Sequence, residues 1–234
     1  KTKLFNKDLD NPIGMAAGFD KNAEVYNSLF KLGFGFVEVG TVTPRAQFGN
    51  PKPRVFRLEK DRALINRLGF NNQGADAVSK RISENIPEGI LGINIGPNKE
   101  TLDKSDDFEI CLSKLHHNAD YLTINISSPN TEGLRDFHNK NSLSDLLARI
   151  DKIKKNNKID KPILIKLSPD INVITCMSGQ KHRHSGKGAI LIDDRAEFRH
   201  AWEQQGGVFI HHTAAQKTIQ MLEMVLKPTG RCIP

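Results

Sequence analysis

The sequence has few cysteines and no long apolar run, and each scarcity excludes a class of protein. Three cysteines occur in 234 residues. Cys111, Cys176 and Cys232 lie too far apart for a metal site, and their odd number does not suit a disulfide framework. No stretch approaches the roughly 18 apolar residues that a membrane span requires, and the first residues lack the pattern of a secretory signal. We therefore expect a chain of a reducing compartment, either cytoplasmic or peripheral to the cytoplasmic face of a membrane.

Aromatic residues are also scarce, at 6% of the chain, and the positive charges form no block. Lys and Arg number 34 against 27 Asp and Glu, which gives a formal net charge of +7. Scattered positive charges with few aromatic residues between them do not favour nucleic-acid binding, so we predict no nucleic-acid partner. A basic surface suits an anionic small substrate or an acidic membrane surface equally well, and an ordinary solvated basic face is the simplest interpretation.

What the chain does contain is a repeated alternation of short β-branched runs and amphipathic segments. The runs predict strands at residues 13–16, 36–40, 91–95, 121–126 and 163–167. The segments between them predict helices at residues 22–32, 73–85, 106–116 and 143–155. Ser142 with Asp145 resembles a capping box at the start of the last of these helices. The order is therefore β-α-β-α throughout this part of the chain.

Such alternation implies a parallel sheet, either doubly wound or closed as a barrel of eight strand-helix units. Residues 1–171 supply five such units. Residues 54–69 interrupt the pattern, because VFRL and ALINRL read as two short paired strands inserted between the second strand and its helix. Above a barrel, this insertion would cover the mouth where active sites lie.

The composition changes near residue 172. Three of the eight histidines precede that point and five follow it, as does the only tryptophan, Trp202. In the second part, residues 189–192 and 208–211 read as strands, and residues 196–205 and 216–226 read as helices. We therefore predict two regions, residues 1–171 and residues 172–234, of which the second is a short β-α-β-α segment unrelated to the first.

The most specific signals stand where the predicted strands end, which is where catalytic groups collect in parallel α/β folds. They are AAGFDKN (residues 16–22), GTVTPR (40–45), INRLGFNN (65–72), GINIGPNK (92–99), NISSPNTEGLR (125–135) and KLSPD (166–170). In this order and spacing, the motifs resemble those of the dihydroorotate dehydrogenases, from about residue 11 to residue 171.

The resemblance implies an α/β fold, the first five strand-helix units of a TIM (β/α)8 barrel, with FMN held at the C-terminal ends of the strands. It also implies the oxidation of dihydroorotate to orotate in pyrimidine biosynthesis. A proton must leave C5 of the substrate while a hydride passes from C6 to flavin N5. The site therefore needs a base, a pocket that recognises amides, and a cation near the reduced flavin.

By this resemblance, Ser128 is the catalytic base. A serine at this position favours the quinone-linked class, with a quinone as electron acceptor, over the soluble class. A hydroxyl is a poor base unless a buried, hydrogen-bonded setting passes its proton onward. The alternative is a turn residue before Pro129. Quinone-linked members carry an amphipathic N-terminal extension, through which we expect membrane association if such a segment precedes this chain.

Two lysines are the candidate cations. Lys166 is the only charge in ILIKLSP, and we expect it to be buried at a strand end, where by resemblance it catalyses by stabilising the reduced flavin. A lysine that reaches the surface from an edge strand is the alternative. By resemblance, Lys21 contacts the substrate carboxylate and the flavin, although alone it would be read as a solvated residue at a helix start.

The remaining site residues also come from the resemblance. Asparagine offers both donors and acceptors, as the edge of a pyrimidine ring requires. The expected substrate contacts, besides Lys21, are Asn66, Asn71, Asn125 and Asn130. The expected flavin contacts are Ala17, Gly18, Thr41, Asn94, Asn125 and Lys166. Arg67 in the same run as Asn66 is equally well explained as a structural ion-pair partner.

Residues beyond 172 give a different resemblance. GAILIDDR (residues 188–195) and AWEQQGGVFIHHT (201–213) look like the C-terminal end of a haloacid-dehalogenase-type phosphatase. By that resemblance Asp193 and Asp194 would ligate Mg²⁺ and Lys181 would offset the charge of a phosphorylated aspartate. The nucleophilic Asp-x-Asp motif is missing, and an acidic helix start explains the two aspartates equally well.

Two rival functions follow from this second part. One is a Mg²⁺-dependent phosphatase fragment. The other is an inactive chimeric fragment that joins two partial genes, because the last three barrel units and the FMN phosphate loops that the resemblance requires are not found after KLSPD. In that case we expect FMN binding and turnover to be impaired.

Overall fold

A computed structural model describes residues 2–168, 190–193, 197, 199–206 and 208–211. The chain divides into two compact units, residues 1–171 and 172–234, which are described separately below. Lys181, Asp194 and the predicted helix at residues 216–226 lie outside the described residues.

The first unit follows the predicted alternation of strands and helices. Its strands are β1 (Thr2–Leu4), β2 (Lys7–Leu9), β3 (Gly14–Met15), β4 (Phe36–Val42), β5 (Val55–Leu58), β6 (Ala63–Asn66), β7 (Ile90–Ile95), β8 (Tyr121–Asn125) and β9 (Ile163–Lys166). Its helices are α1 (Tyr26–Lys31), α2 (Ala75–Glu84), α3 (Lys104–Leu115) and α4 (Lys140–Asn156), with short 3-10 helices at His116–Asn118 and Leu134–His138.

Five of these strands form one sheet in the order β3-β4-β7-β8-β9, and all four neighbouring pairs are parallel. A parallel sheet whose strands alternate with helices confirms the α/β fold and fits a partial TIM barrel.

The two faces of this sheet differ, because successive side chains of a strand point to opposite sides. On one side, the sheet residues of the hydrophobic core include Val37, Val39, Leu91, Ile93, Ile95, Leu122 and Ile124. Their helical partners in that core include Val78, Ile82, Phe108, Leu112, Leu115, Leu146 and Ile150. The intervening positions face the other way and are polar at Glu38, Asn94, Thr123 and Asn125. We call these sides the helix face and the polar face.

Two antiparallel hairpins flank the sheet. The first hairpin, β1 with β2, was not predicted, because its strands are only three residues long and each contains just one apolar residue. Leu9 packs with Ile90 and Tyr121, the first residues of β7 and β8, so this hairpin contacts the N-terminal ends of the strands. The second hairpin, β5 with β6, confirms the predicted insertion of paired strands.

Arg67, which directly follows the second hairpin, has structural contacts. Its Nε and Nη2 donate to the carbonyl oxygen of Pro53, at 3.1 and 2.9 Å. Its guanidinium carbon lies 5.7 Å from the centre of the Phe56 ring. These contacts tie the two ends of the hairpin together through a carbonyl oxygen and an aromatic ring, rather than through the ion pair that we predicted as the structural alternative.

Two helices, α1 and α4, begin furthest from their predicted positions. The capping box of Ser142 and Asp145 was wrong, because α4 begins earlier, at Lys140, and the side chain of Asn139 caps it by accepting from Ser142 N at 3.0 Å. Helix α1 begins at Tyr26 rather than at residue 22. The segment before it is held as a turn, because Ala23 has a φ of 55° and the buried Asp20 carboxylate accepts from two backbone amides of that segment.

In the second unit, β10 (Ile190–Asp193) and β11 (Val208–His211) pair in parallel, and α5 (Arg199–Glu203) lies between them in the chain. These bounds agree with the predicted strands and shorten the predicted helix at residues 196–205. Asp193 is the last residue of β10. Within the described residues, no group of three His, Cys, Asp or Glu side chains could hold a metal ion. Among the described residues of both units, no helix is long and apolar enough to cross a membrane.

Candidate active site

The polar face carries a cluster of predicted site residues near the C-terminal ends of the strands. Parallel strands end at one edge of a sheet, so residues that are distant in sequence meet there. Asn94 of β7 is the register partner of Thr123 of β8, and Asn125 of β8 is the partner of Lys166 of β9. Thr41, near the end of β4, lies beside them and is buried.

Three of these side chains, Thr41, Asn94 and Asn125, form a buried hydrogen-bonded triad. The Thr41 hydroxyl donates to Asn94 Oδ1 at 2.6 Å. Asn125 Nδ2 lies 3.1 Å from both Thr41 Oγ1 and Asn94 Oδ1 and donates toward them. Buried polar groups are costly unless they are hydrogen-bonded, and these three satisfy one another. The structure therefore brings together three residues that the resemblance assigns to the flavin.

Asn125 also organises the loop that follows β8. Its Oδ1 accepts from the backbone nitrogen of Ser127 at 3.1 Å and from the Ser127 hydroxyl at 2.7 Å. In this arrangement both polar atoms of the Asn125 amide are engaged by protein groups. A contact between Asn125 and a ligand would have to replace or share one of these bonds.

Ser128, the predicted base, lies half-buried on that same loop. Its hydroxyl oxygen accepts from the backbone nitrogen of Asn130 at 3.2 Å, a local turn of the kind that serine often makes. Ser128 and Asn130 are thus held next to each other in the loop that follows the triad residue Asn125. Arg135 supports the loop from its far side by donating from Nε to the carbonyl oxygen of Ser127 at 3.2 Å.

Two positive charges, those of Arg54 and Lys166, act on the predicted site residue Lys21. Burial lowers the pKa of Lys21, and the nearby positive charges of Arg54 and Lys166 lower it further. Within the described residues, neither lysine forms an ion pair with a carboxylate. Like charges brought together without a counter-charge repel one another, and an anion bound among them would relieve the repulsion. We call Lys21, Arg54 and Lys166 the cation cluster.

The predicted burial of Lys166 was wrong. Its side chain is exposed at the end of β9, which within the described residues pairs with β8 alone in the sheet. A strand with one neighbour leaves its last residue open to solvent, so the lysine needs no buried partner there. The position of Lys166 at the strand end, next to Asn125, is nevertheless as predicted.

The loop after β3 is fastened to the end of β4 by backbone hydrogen bonds. The Gly18 nitrogen donates to the carbonyl oxygen of Gly40, and the Gly40 nitrogen donates to the carbonyl oxygen of Asp20, both at 2.8 Å. Gly18 has a φ of 109°, a conformation that favours glycine. Ala17 is half-buried and Gly18 is exposed, so this loop presents accessible backbone beside Thr41.

Asn66 and Asn71 are not joined to the triad by any hydrogen bond among the described residues. Asn66 ends β6 and is exposed. Asn71 lines a cavity of about 470 Å³ together with Asn22, Arg54 and Gln73. Its Oδ1 is buried and has no donor within the described part of the chain, which leaves one acceptor open to a ligand or water.

Sequence reasoning missed a second set of polar residues that holds the site loops. Asn72 Nδ2 donates to the Thr43 hydroxyl at 2.8 Å, and Asn98 Nδ2 donates to the same oxygen at 3.1 Å. Asn98 also accepts from Arg45 N at 3.0 Å, and its own backbone nitrogen donates to Asp107 at 2.7 Å. Thr43, Asn72 and Asn98 all lie inside the quoted motifs. The motifs therefore marked these residues, but not their task of holding the loops together by hydrogen bonds.

Glu38 was also missed. It is the single carboxylate within the apolar run FVEVG of β4, and a charge inside a strand signals buried polar partners. Its Oε1 accepts from Asn94 Nδ2 at 2.8 Å, and its Oε2 accepts from the Thr123 hydroxyl at 2.9 Å. Glu38 therefore extends the triad toward the middle of the sheet.

Comparison with known proteins agrees with these observations. The family model described as dihydroorotate dehydrogenase matches residues 1–185. A dihydroorotate dehydrogenase (quinone) of Rhodospirillum rubrum is 54% identical over 172 residues, which cover 72% of this chain and 46% of that protein. The mitochondrial dihydroorotate dehydrogenase (quinone) of Cyclocybe aegerita is 48% identical over 174 residues, which cover 72% of this chain and 53% of that protein.

The crystal structure of DHODH from Eimeria tenella in complex with ferulenol superposes with a TM-score of 0.64 at 41% identity, covering 69% of this chain and 50% of that one. The chain thus spans about half the length of the curated relatives that it matches. The family match runs to residue 185, past residue 171 where we predicted the resemblance to end. None of these comparisons supports a phosphatase resemblance for the second unit.

Proposed function

Since the chain belongs to the dihydroorotate dehydrogenase family, we propose that it oxidises dihydroorotate to orotate with FMN as hydride acceptor and a quinone as final electron acceptor. Serine at position 128 and the names of the relatives support the quinone-linked class. A quinone is lipophilic and partitions into lipid, so the proposal includes contact with a membrane surface.

The observation that carries this proposal is the buried triad at the strand ends, with Lys166 beside Asn125 as its register partner and the positive charge of Lys21 nearby. A half-buried lysine whose pKa is lowered by burial and by two neighbouring cations is an unusual arrangement on a protein surface. It suits a ligand that brings negative charge, and dihydroorotate carries a carboxylate. The adjacent buried amides suit a planar ring with alternating donors and acceptors.

The residues at the strand ends fit a flavin. Asn94 and Thr41 offer polar groups at the buried side, Ala17 and Gly18 offer accessible backbone, and Lys166 offers a positive charge. When bound, FMN would supply the hydride acceptor that protein side chains lack. Lys166 would stabilise negative charge that develops on the reduced ring.

The chain's own residues would perform the remaining steps. Lys21 would bind the substrate carboxylate as a point charge, which its position in the cation cluster favours. Asn66, Asn71 and Asn130 would hold the pyrimidine ring. Ser128 would remove the proton from C5 of the substrate, and its hydroxyl would have to pass its own proton onward.

A flavin titration followed by a turnover assay tests this function. Purified chain is expected to quench the fluorescence of added FMN and to reduce a quinone analogue when dihydroorotate is present. Ser128→Ala is expected to lose turnover and keep FMN, since Ser128 acts on the substrate alone. Ser28→Ala, which removes an exposed hydroxyl of α1, is the matched control. A chain that neither binds FMN nor forms orotate contradicts the proposal.

We also propose that the chain departs from the family beyond residue 185, where the family match ends, so that the residues after it have a separate origin and the whole is a chimera of two partial genes. The composition break near residue 172 and the end of the family match at residue 185 support this proposal. A sequenced transcript across the codons for residues 170–175 tests it. An uninterrupted native transcript would remove an assembly artefact, and a sharp cooperative melt would count against an inactive, poorly folded fragment.

A further inference from the structure

The carboxylate of Glu38 has a defined task on the polar face. Glu38 is half-buried in β4, and its two oxygens accept hydrogen bonds from Asn94 Nδ2 and from the Thr123 hydroxyl. An ionised carboxylate only accepts hydrogen bonds. The atom of the Asn94 amide that faces Glu38 must therefore be the nitrogen.

The other end of the Asn94 amide is determined independently. Asn94 Oδ1 receives hydrogen bonds from the Thr41 hydroxyl and from Asn125 Nδ2, which together occupy the two lone pairs of an amide oxygen. Turning the amide over would place its oxygen against the Glu38 carboxylate and its nitrogen against the Asn125 nitrogen. Both contacts would be repulsive, so one orientation is strongly preferred.

This orientation leaves Asn94 with one unused hydrogen-bonding group. An amide nitrogen carries two hydrogens, and among the described residues only one of them has an acceptor, the Glu38 carboxylate. The second N–H is available to a ligand, whereas the oxygen is not. Asn94 can therefore act toward a bound ring as a donor only.

We propose that Glu38 is a positioning residue that fixes the Asn94 amide so that Asn94 donates a hydrogen bond to an acceptor atom of the bound flavin ring. The inference rests on the proposed flavin-dependent function and deepens it by assigning a role to a residue that does not itself touch the ring. The carbonyl oxygens and imine nitrogens of an isoalloxazine are acceptors, so a fixed donor suits them.

The surroundings of Glu38 hold its side chain in place. Glu38 of β4, Gly92 of β7 and Tyr121 of β8 are successive register partners across the sheet. A Cβ atom at Gly92 would collide with the Tyr121 ring, so the glycine lets that ring lean across β7. Burial raises the pKa of Tyr121, and the charge of Glu38 and a hydrogen bond to it raise it further, which indicates that the two groups are close.

Glu38→Gln is the informative substitution. Glutamine has nearly the same size, but its amide can turn either its oxygen or its nitrogen toward Asn94, so it no longer forces one orientation. Loss of one fixed donor is expected to weaken binding of a flavin ring by about three- to tenfold, the equivalent of one ordinary hydrogen bond. Glu84→Gln makes the same chemical change on the exposed surface of α2 and is the matched control.

Two measurements test the inference. The first, without flavin, records the side-chain amide signals of Asn94 in ¹⁵N-labelled chain, identified by their absence in Asn94→Ala. In the unsubstituted chain, the proton donated to Glu38 should be shifted downfield and exchange slowly, and both features should be lost in Glu38→Gln but not in Glu84→Gln. The second measures Kd for FMN and for lumiflavin, which lacks the phosphate. Glu38→Gln should weaken both by the same factor, because the contact is with the ring.

The outcomes separate this inference from the proposed function. Asn94 signals that do not change in Glu38→Gln, in a chain that binds flavin, overturn the positioning role and leave the function standing. Changed signals with unchanged Kd values overturn the link to the flavin. A chain that binds neither flavin contradicts the proposed function and the inference with it. Should Glu38→Gln fail to fold, Glu38→Asp keeps the charge with a shorter reach and is expected to lose the Asn94 contact in the same two measurements.

Discussion

The helix face and the polar face of the five-stranded sheet are built from alternate residues of the same strands, yet they differ in almost every property. Leu122 and Ile124 of β8 are fully buried among the helices, whereas Thr123 between them donates to the Glu38 carboxylate on the polar face. One face is filled by side chains without polar atoms. The other holds amides, hydroxyls and a carboxylate that depend on one another.

This difference shows how a short stretch of chain can serve stability and chemistry together. Burial of apolar area is the main source of folding free energy, and here it is concentrated on the side where α2, α3 and α4 pack. The polar face contributes less to the apolar core, so its side chains can be chosen for hydrogen-bonding capacity. We expect substitutions on the two faces to have different consequences.

The largest effect is expected for Leu122→Ala. Leu122 is fully buried on the helix face, and its truncation should lower the free energy of unfolding by about 2–5 kcal/mol because it leaves a cavity. Urea unfolding followed by circular dichroism measures this change. Leu164→Ala is the matched control, since Leu164 of the neighbouring strand β9 pairs with Thr123 on the polar face and is 37% exposed. An equal loss in both variants would show that the two faces do not differ in their contribution to the free energy of unfolding.

A smaller effect is expected for Gly92→Ala on the polar face. The added methyl group would push the Tyr121 ring away from Glu38, and overpacking of this kind costs about 1–3 kcal/mol. The pKa of Tyr121 should fall toward its ordinary value, which ultraviolet titration detects, since the chain has only one other tyrosine, Tyr26. In a Tyr121→Leu background the shorter side chain leaves room, so the destabilisation by Gly92→Ala should shrink. An undiminished penalty there would mean that Tyr121 is not the obstacle.

The start of α4 gives a prediction for the helix side. Asn139→Ala removes the side chain that caps this helix and should lower the free energy of unfolding by about 1 kcal/mol. Ser142→Ala should have less effect, because only the backbone nitrogen of Ser142 takes part in the cap. Thermal melts of the two variants measure the difference. A larger loss for Ser142→Ala would restore the capping box that we first predicted.

The smallest effect concerns the pH dependence of stability near the polar face. The pKa of Lys21 is lower in the folded chain than its ordinary value of 10.5, so between these two values the unfolded chain binds more protons. The free energy of unfolding should therefore rise with pH through this interval. Lys21→Met should flatten the rise, as measured by urea midpoints at increasing pH. An unchanged slope would show that another group produces it.

The sequence was most informative about regular strands and least informative about which side chains form hydrogen bonds with one another. Strands β7 and β8 were predicted closely because their short runs are rich in β-branched residues. Thr41, Asn94 and Asn125 came from a family resemblance, and only coordinates could show that they bond to one another. Glu38 was overlooked because a charge within an apolar strand has no visible partner in a one-dimensional pattern.

Other errors have the same origin. The cap at Asn139 depends on where the 3-10 helix Leu134–His138 ends, which periodicity does not determine. The exposure of Lys166 depends on the number of strands that neighbour β9. Both are properties of the assembled fold, whereas propensity and spacing are properties of the local sequence.

The Thr43 hydroxyl has a consequence for how the site responds to disturbance. It donates to the Arg45 carbonyl oxygen at 2.6 Å and accepts from the amides of Asn72 and Asn98, so three separate loops converge on one oxygen atom. Thr41 stands two residues away on the same strand end. Replacing Thr43 by valine would remove these three hydrogen bonds together, and we expect the effect to reach all three loops and the neighbouring Thr41.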